Sequence, residues 1–314
     1  MYLYWSRRDV IMQSMPARRL LVASLAAVYV IWGSTYLAMR IANAGLPPLY
    51  MASMRFMVAG GVLFALALRR GAAIPPMRDW LRSLPVGALL FMGGNGFVAL
   101  AEQSVPSGGV AVVCATMPLW VGVLGAAFGQ KPTAREWLAL VIGFCGVVVL
   151  MGGPTLAGHP LNIAFAIASP ILWACGSLLS RRTRDVGGQH AALVGPAVQM
   201  LGGAVVLAIV ATLRGEHLPA HVPVTSWLAL GYLVVFGSLV GFTAYSWLLR
   251  HARPVVATSY AYVNPILAVF IGAALYGEPL GWTTLVANVL IVGAVMLAVG
   301  TRNAVSSGHG SRRR

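Results

Sequence analysis

Apolar runs of about twenty residues, parted by short polar or turn-rich breaks, fill the chain from residue 20 to residue 300. A helix needs about 20 such residues to cross roughly 30 Å of hydrocarbon. That ruler predicts ten spans, near residues 20–41, 49–68, 83–102, 107–128, 135–152, 161–180, 190–212, 227–249, 255–276 and 282–300. The breaks carry turn chemistry or charge, as at Gly45-Leu46-Pro47-Pro48, Arg69-Arg70-Gly71, Gly152-Gly153-Pro154 and Arg181-Arg182. No stretch is left for a soluble catalytic domain, and the expected fold class is all-α integral membrane.

Composition sharpens this picture. Of 314 residues, 59% are apolar and only 9% charged, with a mean hydropathy of +0.80. Soluble domains carry about 25% charged residues, and disordered chains have low hydropathy, so both classes are excluded. The net charge of +15 does not mark a nucleic-acid partner, because Lys and Arg fall in small groups between apolar runs instead of on one solvated face. With the N-terminus inside, 19 of the 22 basic residues fall in cytoplasmic segments, the exceptions being Arg40, Arg55 and Arg214. The positive-inside rule then puts both termini in the cytoplasm. The first run is too long for a signal-peptide core, although Ala42-Asn43-Ala44 resembles a cleavage site. Cys114, Cys145 and Cys175 each stand alone, which points to buried free thiols and not to a disulfide or zinc framework. His217 and His221 have i,i+4 spacing, but Pro219 breaks the helix that a metal pair would need, so no metal is expected.

The two halves resemble each other. A shift of 147 residues sets the stretch from Ala111 through Pro118 to Leu119 on the stretch from Thr258 through Pro265 to Ile266, and pairs Gly94 with Gly241 and Gly146 with Gly293. Upstream the shift is 141, pairing Trp32 with Trp173 and Arg40 with Arg181. The expected organisation is a basic cytoplasmic segment (1–19), two five-helix repeats (20–152 and 161–300) and a basic cytoplasmic tail (301–314). Five spans is an odd number, so the second repeat enters the membrane from the opposite side. Inverted repeats of this kind let secondary transporters exchange inward-open and outward-open states around a midplane site.

Specific motifs point the same way. Tyr29-Val30-Ile31-Trp32-Gly33-Ser34-Thr35-Tyr36, Arg55-Phe56 with Ala59-Gly60-Gly61, Ala115-Thr116-Met117-Pro118-Leu119-Trp120 and Tyr262-Val263-Asn264-Pro265-Ile266 resemble the drug/metabolite transporter superfamily, EamA type. The resemblance covers about residues 20 to 300. It implies a bacterial inner-membrane exporter with spans one to four and six to nine around a central cavity and spans five and ten peripheral. One departure matters: the first span has no carboxylate, so the membrane glutamate of the small four-helix multidrug relatives has no counterpart.

Few polar groups lie within the spans. Arg55 is either a functional charge or a snorkelling arginine that pairs with a helix end or headgroup. Glu102, at a span edge, either faces the cavity or is solvated at its mouth, and it is a conceivable partner for Arg55. Pro118 and Pro265 are expected to interrupt their helices, as cavity elements or as packing kinks. Trp32 and Trp173 are mid-span and related by the repeat, which favours a cavity over an interface belt; Tyr260 and Tyr262 are further aromatic candidates. Ser34, Thr35, Asn95, Ser177 and Asn264 offer uncharged hydrogen-bonding groups to a ligand or to a neighbouring helix. Gly125-x-x-x-Gly129 and Gly237-x-x-x-Gly241 predict close helix contacts, within one chain or between two. Such a cavity suits a small, largely uncharged or zwitterionic ligand.

The leading function is a secondary active transporter that exports small metabolites or amphiphilic drugs by alternating access. Its partners are then the lipid bilayer, a small-molecule substrate and an ion or proton gradient, with no cofactor. A passive channel or scramblase-type facilitator is the second class. A membrane-embedded enzyme is the third, but the spans hold no acid-base or nucleophilic cluster, and the chain has no phosphate-binding Gly-x-x-x-x-Gly-Lys-Ser/Thr motif.

Overall fold

The computed structural model describes residues 15–105, 107–127, 131–150, 152, 158–183, 185–276 and 281–300. The expected basic N-terminal segment is mostly, and the tail entirely, outside these residues. The described residues form helices joined by short turns, with no strand among them. We number them α1 (Met15–Asn43), α2 (Pro48–Arg69), α3 (Met77–Ala101), α4 (Ser107–Cys114), α5 (Met117–Ala127), α6 (Ala134–Leu150), α7 (Pro160–Ser180), α8 (Ala191–Leu213), α9 (Val224–His251), α10 (Pro254–Ala257), α11 (Tyr260–Tyr276) and α12 (Trp282–Gly300). Six helices are long and apolar enough to cross a membrane, namely α1, α2, α3, α7, α8 and α9. Their outward surfaces carry exposed Val22, Val30, Ile167, Val205, Ile209 and Val235, a belt that water would not tolerate and lipid matches.

Sequence chemistry sets the ends. α2 opens on Pro47-Pro48, proline being suited to a first turn whose N–H groups have no helical partner. Two of those N–H groups, on Leu49 and Tyr50, donate to the Glu216 carboxylate at 3.1 and 3.0 Å. Thr133 and Glu136 form a reciprocal cap at the start of α6, in which Thr133 N donates to Glu136 Oε2 (2.8 Å) and Glu136 N donates to Thr133 Oγ1 (3.2 Å). The Glu136 carboxylate is fully buried and also receives Arg253 Nη2 at 2.7 Å, which ties the start of α6 to the turn before α10. Arg181 on Ala252, Arg250 on Ala191, Arg82 on Arg182 and Arg253 on Lys131 make further ties at this same basic end of the bundle.

Helix α8 lies along α2, and α6 pairs with α12 at one side. Gly60 permits the first of these approaches, since a Cβ there would press on Met200 of α8, and Gly203 permits α8 to approach α3, since a Cβ there would press on Phe91. Two long helices are not regular throughout. α3 contains a π-helical stretch over Ala88–Gly96, and α9 one over Leu233–Val240. Such wide turns release carbonyls from the regular ladder and cluster at functional sites.

The helix breaks fall elsewhere than the prolines predict. α4 and α5 part at Ala115-Thr116, which leaves Pro118 harmlessly in the first turn of α5, and α10 and α11 part at Thr258-Ser259, six residues before Pro265, which stays inside α11. Hydroxyls explain the positions. Thr116 Oγ1 turns back on the Val113 carbonyl (2.6 Å), Thr258 Oγ1 on Pro254 (2.9 Å) and Ser259 Oγ on Val256 (2.8 Å), each competing with the helical ladder.

Candidate functional site

Between the two halves lies a cavity of about 120 Å³. One water needs about 10–15 Å³ of such space, so a small organic molecule fits. Its wall draws on α1, α2, α3, α4, α5, α7, α9 and α11. Neither α6 nor α12 contributes, in keeping with a peripheral pair. Helix α8 is also absent from the wall, which corrects the expectation that span seven surrounds the cavity: it lies along α2 instead.

The floor of the cavity is aromatic. Trp32 meets Trp173 edge-on at a centroid distance of 5.8 Å and Tyr260 at 4.6 Å, and Tyr245, fully buried, lies 5.1 Å from Trp32. Donors are matched to acceptors: Trp32 Nε1 donates to the Gly237 carbonyl (3.0 Å), Trp173 Nε1 to Tyr245 Oη (3.1 Å), and the Ser177 hydroxyl shares a 2.6 Å bond with Tyr245 Oη. The two tryptophans cross between halves reciprocally. A methyl group at Gly241 would stand 2.5 Å from Trp32 Nε1, and one at Gly94 would overlap the Trp173 ring. Both glycines border or lie in the π-helical stretches, and both pairs are those related by the repeat offsets. The close contact foreseen at Gly237-x-x-x-Gly241 is therefore to side chains and not to a helix backbone.

Arg55 stands in the wall, 5% exposed. Its Nε donates to Ser238 Oγ at 2.8 Å, and its guanidinium carbon lies 4.8 Å above the Phe56 ring. Nη2 lies beside Gly237, where an added Cβ would come within 2.6 Å. Among the described residues Arg55 makes no ion pair, and Glu102, which follows the end of α3, makes none either.

Of the residues singled out from sequence, the cavity gathers Trp32, Thr35, Arg55, Asn95, Trp173, Tyr260 and Asn264. Asn95 Nδ2 donates to the Leu90 carbonyl five residues back (3.4 Å), a bond within the π-helical stretch, and Asn264 Oδ1 is buried without a partner among the described residues. The others lie outside the wall. Ser34 bonds the Ile31 carbonyl and the Tyr232 hydroxyl, and Ser177 holds Tyr245 beneath the floor. Tyr262 faces the other way, its hydroxyl on the Leu140 carbonyl (3.0 Å) and its ring against Gly143, and so binds α11 to α6. Pro118, Pro265 and Glu102 are not in the wall. Sequence reasoning missed Phe56, Phe91, Phe242, Ser169 and the Arg55 partner Ser238. Only the last had a signal, in that a buried cation requires an acceptor from somewhere.

A polytopic helical arrangement with a solute-sized cavity between its halves is an architecture that membrane transporters use. The EamA-like transporter family model matches residues 19–152 and again residues 161–300, and the chain belongs to that family. It is 43% identical over 279 residues to the inner membrane transporter YedA of Escherichia coli (strain K12), covering 88% of this chain and 90% of that one. Protein PecM of Dickeya dadantii is 28% identical over 271 residues, covering 85% and 88%. One solved protein structure superposes with a TM-score of 0.74 over 91% of this chain and 99% of its own at 23% identity, a likeness of fold.

Proposed function

We propose that this protein is a secondary active exporter of small metabolites in the bacterial inner membrane, working by alternating access between two inverted five-helix repeats. The carrying observation is the reciprocal packing of Trp32 on Gly241 and Trp173 on Gly94 at the foot of a cavity shared by both halves. An exchange of equivalent contacts is what two repeats related by a midplane two-fold axis would make, and the breaks at Thr116 and Thr258-Ser259 support a reading in which α4 with α5 and α10 with α11 are each one span in two pieces. The gathering of Arg82, Arg181, Arg250 and Arg253 at one end supports a cytoplasmic face there, with both termini inside. In that orientation Met39 and Val98, which also line the cavity, lie nearer the periplasmic ends of their helices. The inner membrane follows from likeness to YedA.

The test is transport in sealed vesicles of purified protein, loaded with extract from cells lacking it. Concentrative movement of a solute, abolished by collapsing the ion gradient, is expected; equilibration insensitive to the gradient would assign a passive facilitator instead.

A further inference from the structure

Among the described residues Arg55 is the one charged side chain in the wall of the cavity, and none of them neutralises it. Its Nε is taken by Ser238, while no hydrogen-bond partner meets its two terminal nitrogens. No carboxylate, lysine or histidine stands among the described lining residues. A guanidinium remains protonated wherever it sits, and taking it from water without a counter-charge is costly in a membrane interior. A purely structural arginine would be neutralised by a carboxylate or saturated by carbonyls; this one is anchored at its inner nitrogen and left open at its fork. The same wall presents the Phe56 ring, over which the guanidinium lies, together with apolar and aromatic surfaces from Phe91, Trp32 and Trp173 and the Asn264 Oδ1, which has no partner among the described residues.

We infer that the substrate carries a carboxylate on a small apolar or aromatic body, the carboxylate meeting the terminal nitrogens of Arg55 end-on and the body lying against the aromatic floor. This rests on the transporter reading above and names its substrate class, and it narrows the largely uncharged or zwitterionic ligand expected from sequence to one that carries a carboxylate. The carboxylate supplies the missing counter-charge, and its two oxygens match the spacing of the two free nitrogens, which a point-like cation such as lysine would not reward equally. A cationic ligand would be repelled by the same group, whatever its fit to the rings.

Three probes with one ring and different heads test this by calorimetric titration of the purified protein: phenylacetate, phenylacetamide and phenethylamine. Phenylacetate is expected to bind at least about tenfold tighter than the amide, the difference between a charged and a neutral hydrogen-bonded pair, and the amine weakest of all. R55Q is expected to abolish that preference and R55K to keep part of it. The wild-type comparison needs no variant, so it decides the matter even if R55Q does not fold. Equal or tighter binding of the amide or the amine, binding of none of the three, or a folded R55Q that keeps the preference would overturn the inference. Arg55-dependent binding of phenylacetate without any gradient-driven movement in vesicles would leave this inference standing and overturn the transporter reading. Gradient-driven movement with no preference for the anion would do the reverse.

Discussion

Trp32 donates its indole N–H to the carbonyl of Gly237 across 3.0 Å, although 205 positions separate the two in the chain. That carbonyl lies in the π-helical stretch of α9, so one hydrogen bond fixes the orientation of the cavity floor and satisfies an acceptor set in an irregular turn. Trp32→Phe keeps a ring and removes the donor, and it should lower stability by about 1 kcal/mol, the usual net value of a buried hydrogen bond. Trp32→Ala and Trp173→Ala should weaken substrate affinity at near-normal membrane expression, whereas Trp137→Ala in α6 should leave affinity unchanged. Transport kinetics at matched protein levels check all three.

Gly94→Ala and Gly241→Ala insert a methyl group into the space of Trp173 and Trp32 respectively. Overpacking of this kind costs about 1–3 kcal/mol where the neighbour cannot move aside. Both variants should lower the thermal midpoint in detergent and impair transport, and the midpoint, though not transport, should be partly restored by shrinking the clashing tryptophan to leucine. Rescue by the other tryptophan would contradict the pairing.

The extent of what could be read in advance follows from range along the chain. Span positions depend on local hydropathy, and six of the apolar runs fall on helices long enough to cross a membrane among the described residues. The pairings of Trp32 with Trp173 and of Gly94 with Gly241 were visible as offsets, yet nothing local says that a tryptophan of one pair rests on a glycine of the other. Arg55 stood out as an intramembrane charge, while its acceptor Ser238 lies 183 residues away and looks like any small polar residue in an apolar helix. The breaks were misplaced because proline is a conspicuous breaker and a hydroxyl turned back on its own helix is not. Tyr262 was grouped with Tyr260 by proximity in sequence, but two residues of helix turn a side chain to nearly the opposite face.

Glu136, fully buried at the basic end, pairs with Arg253 through Nε to Oε1 at 2.5 Å. Glu136→Gln retains much of the cap to Thr133 and strands the arginine. The cost should fall near or below the low end of the about 3–5 kcal/mol typical of a broken buried pair, since the Arg253 side chain is 41% exposed. The thermal midpoint measures it, and a loss as large in Thr133→Ala would assign the effect to the cap and not to the ion pair.

Glu102 lies outside the cavity wall and makes no ion pair among the described residues. The repeat offset of 147 puts Leu249 at its equivalent position, so it has no acidic twin. Glu102→Gln should therefore retain gradient-driven transport across the pH range. Complete loss in a folded protein would make it the coupling group.

The central claim, that the cavity between the halves carries small molecules out of the cell, is tested most directly by comparing metabolites in the medium of four cultures. These express wild-type protein, no protein, the Trp32→Ala/Trp173→Ala variant, or Trp137→Ala, all at matched membrane levels. At least one small metabolite should accumulate outside only with the wild-type protein and Trp137→Ala. Media indistinguishable across all four cultures, or accumulation undiminished in the cavity variant, would contradict the account.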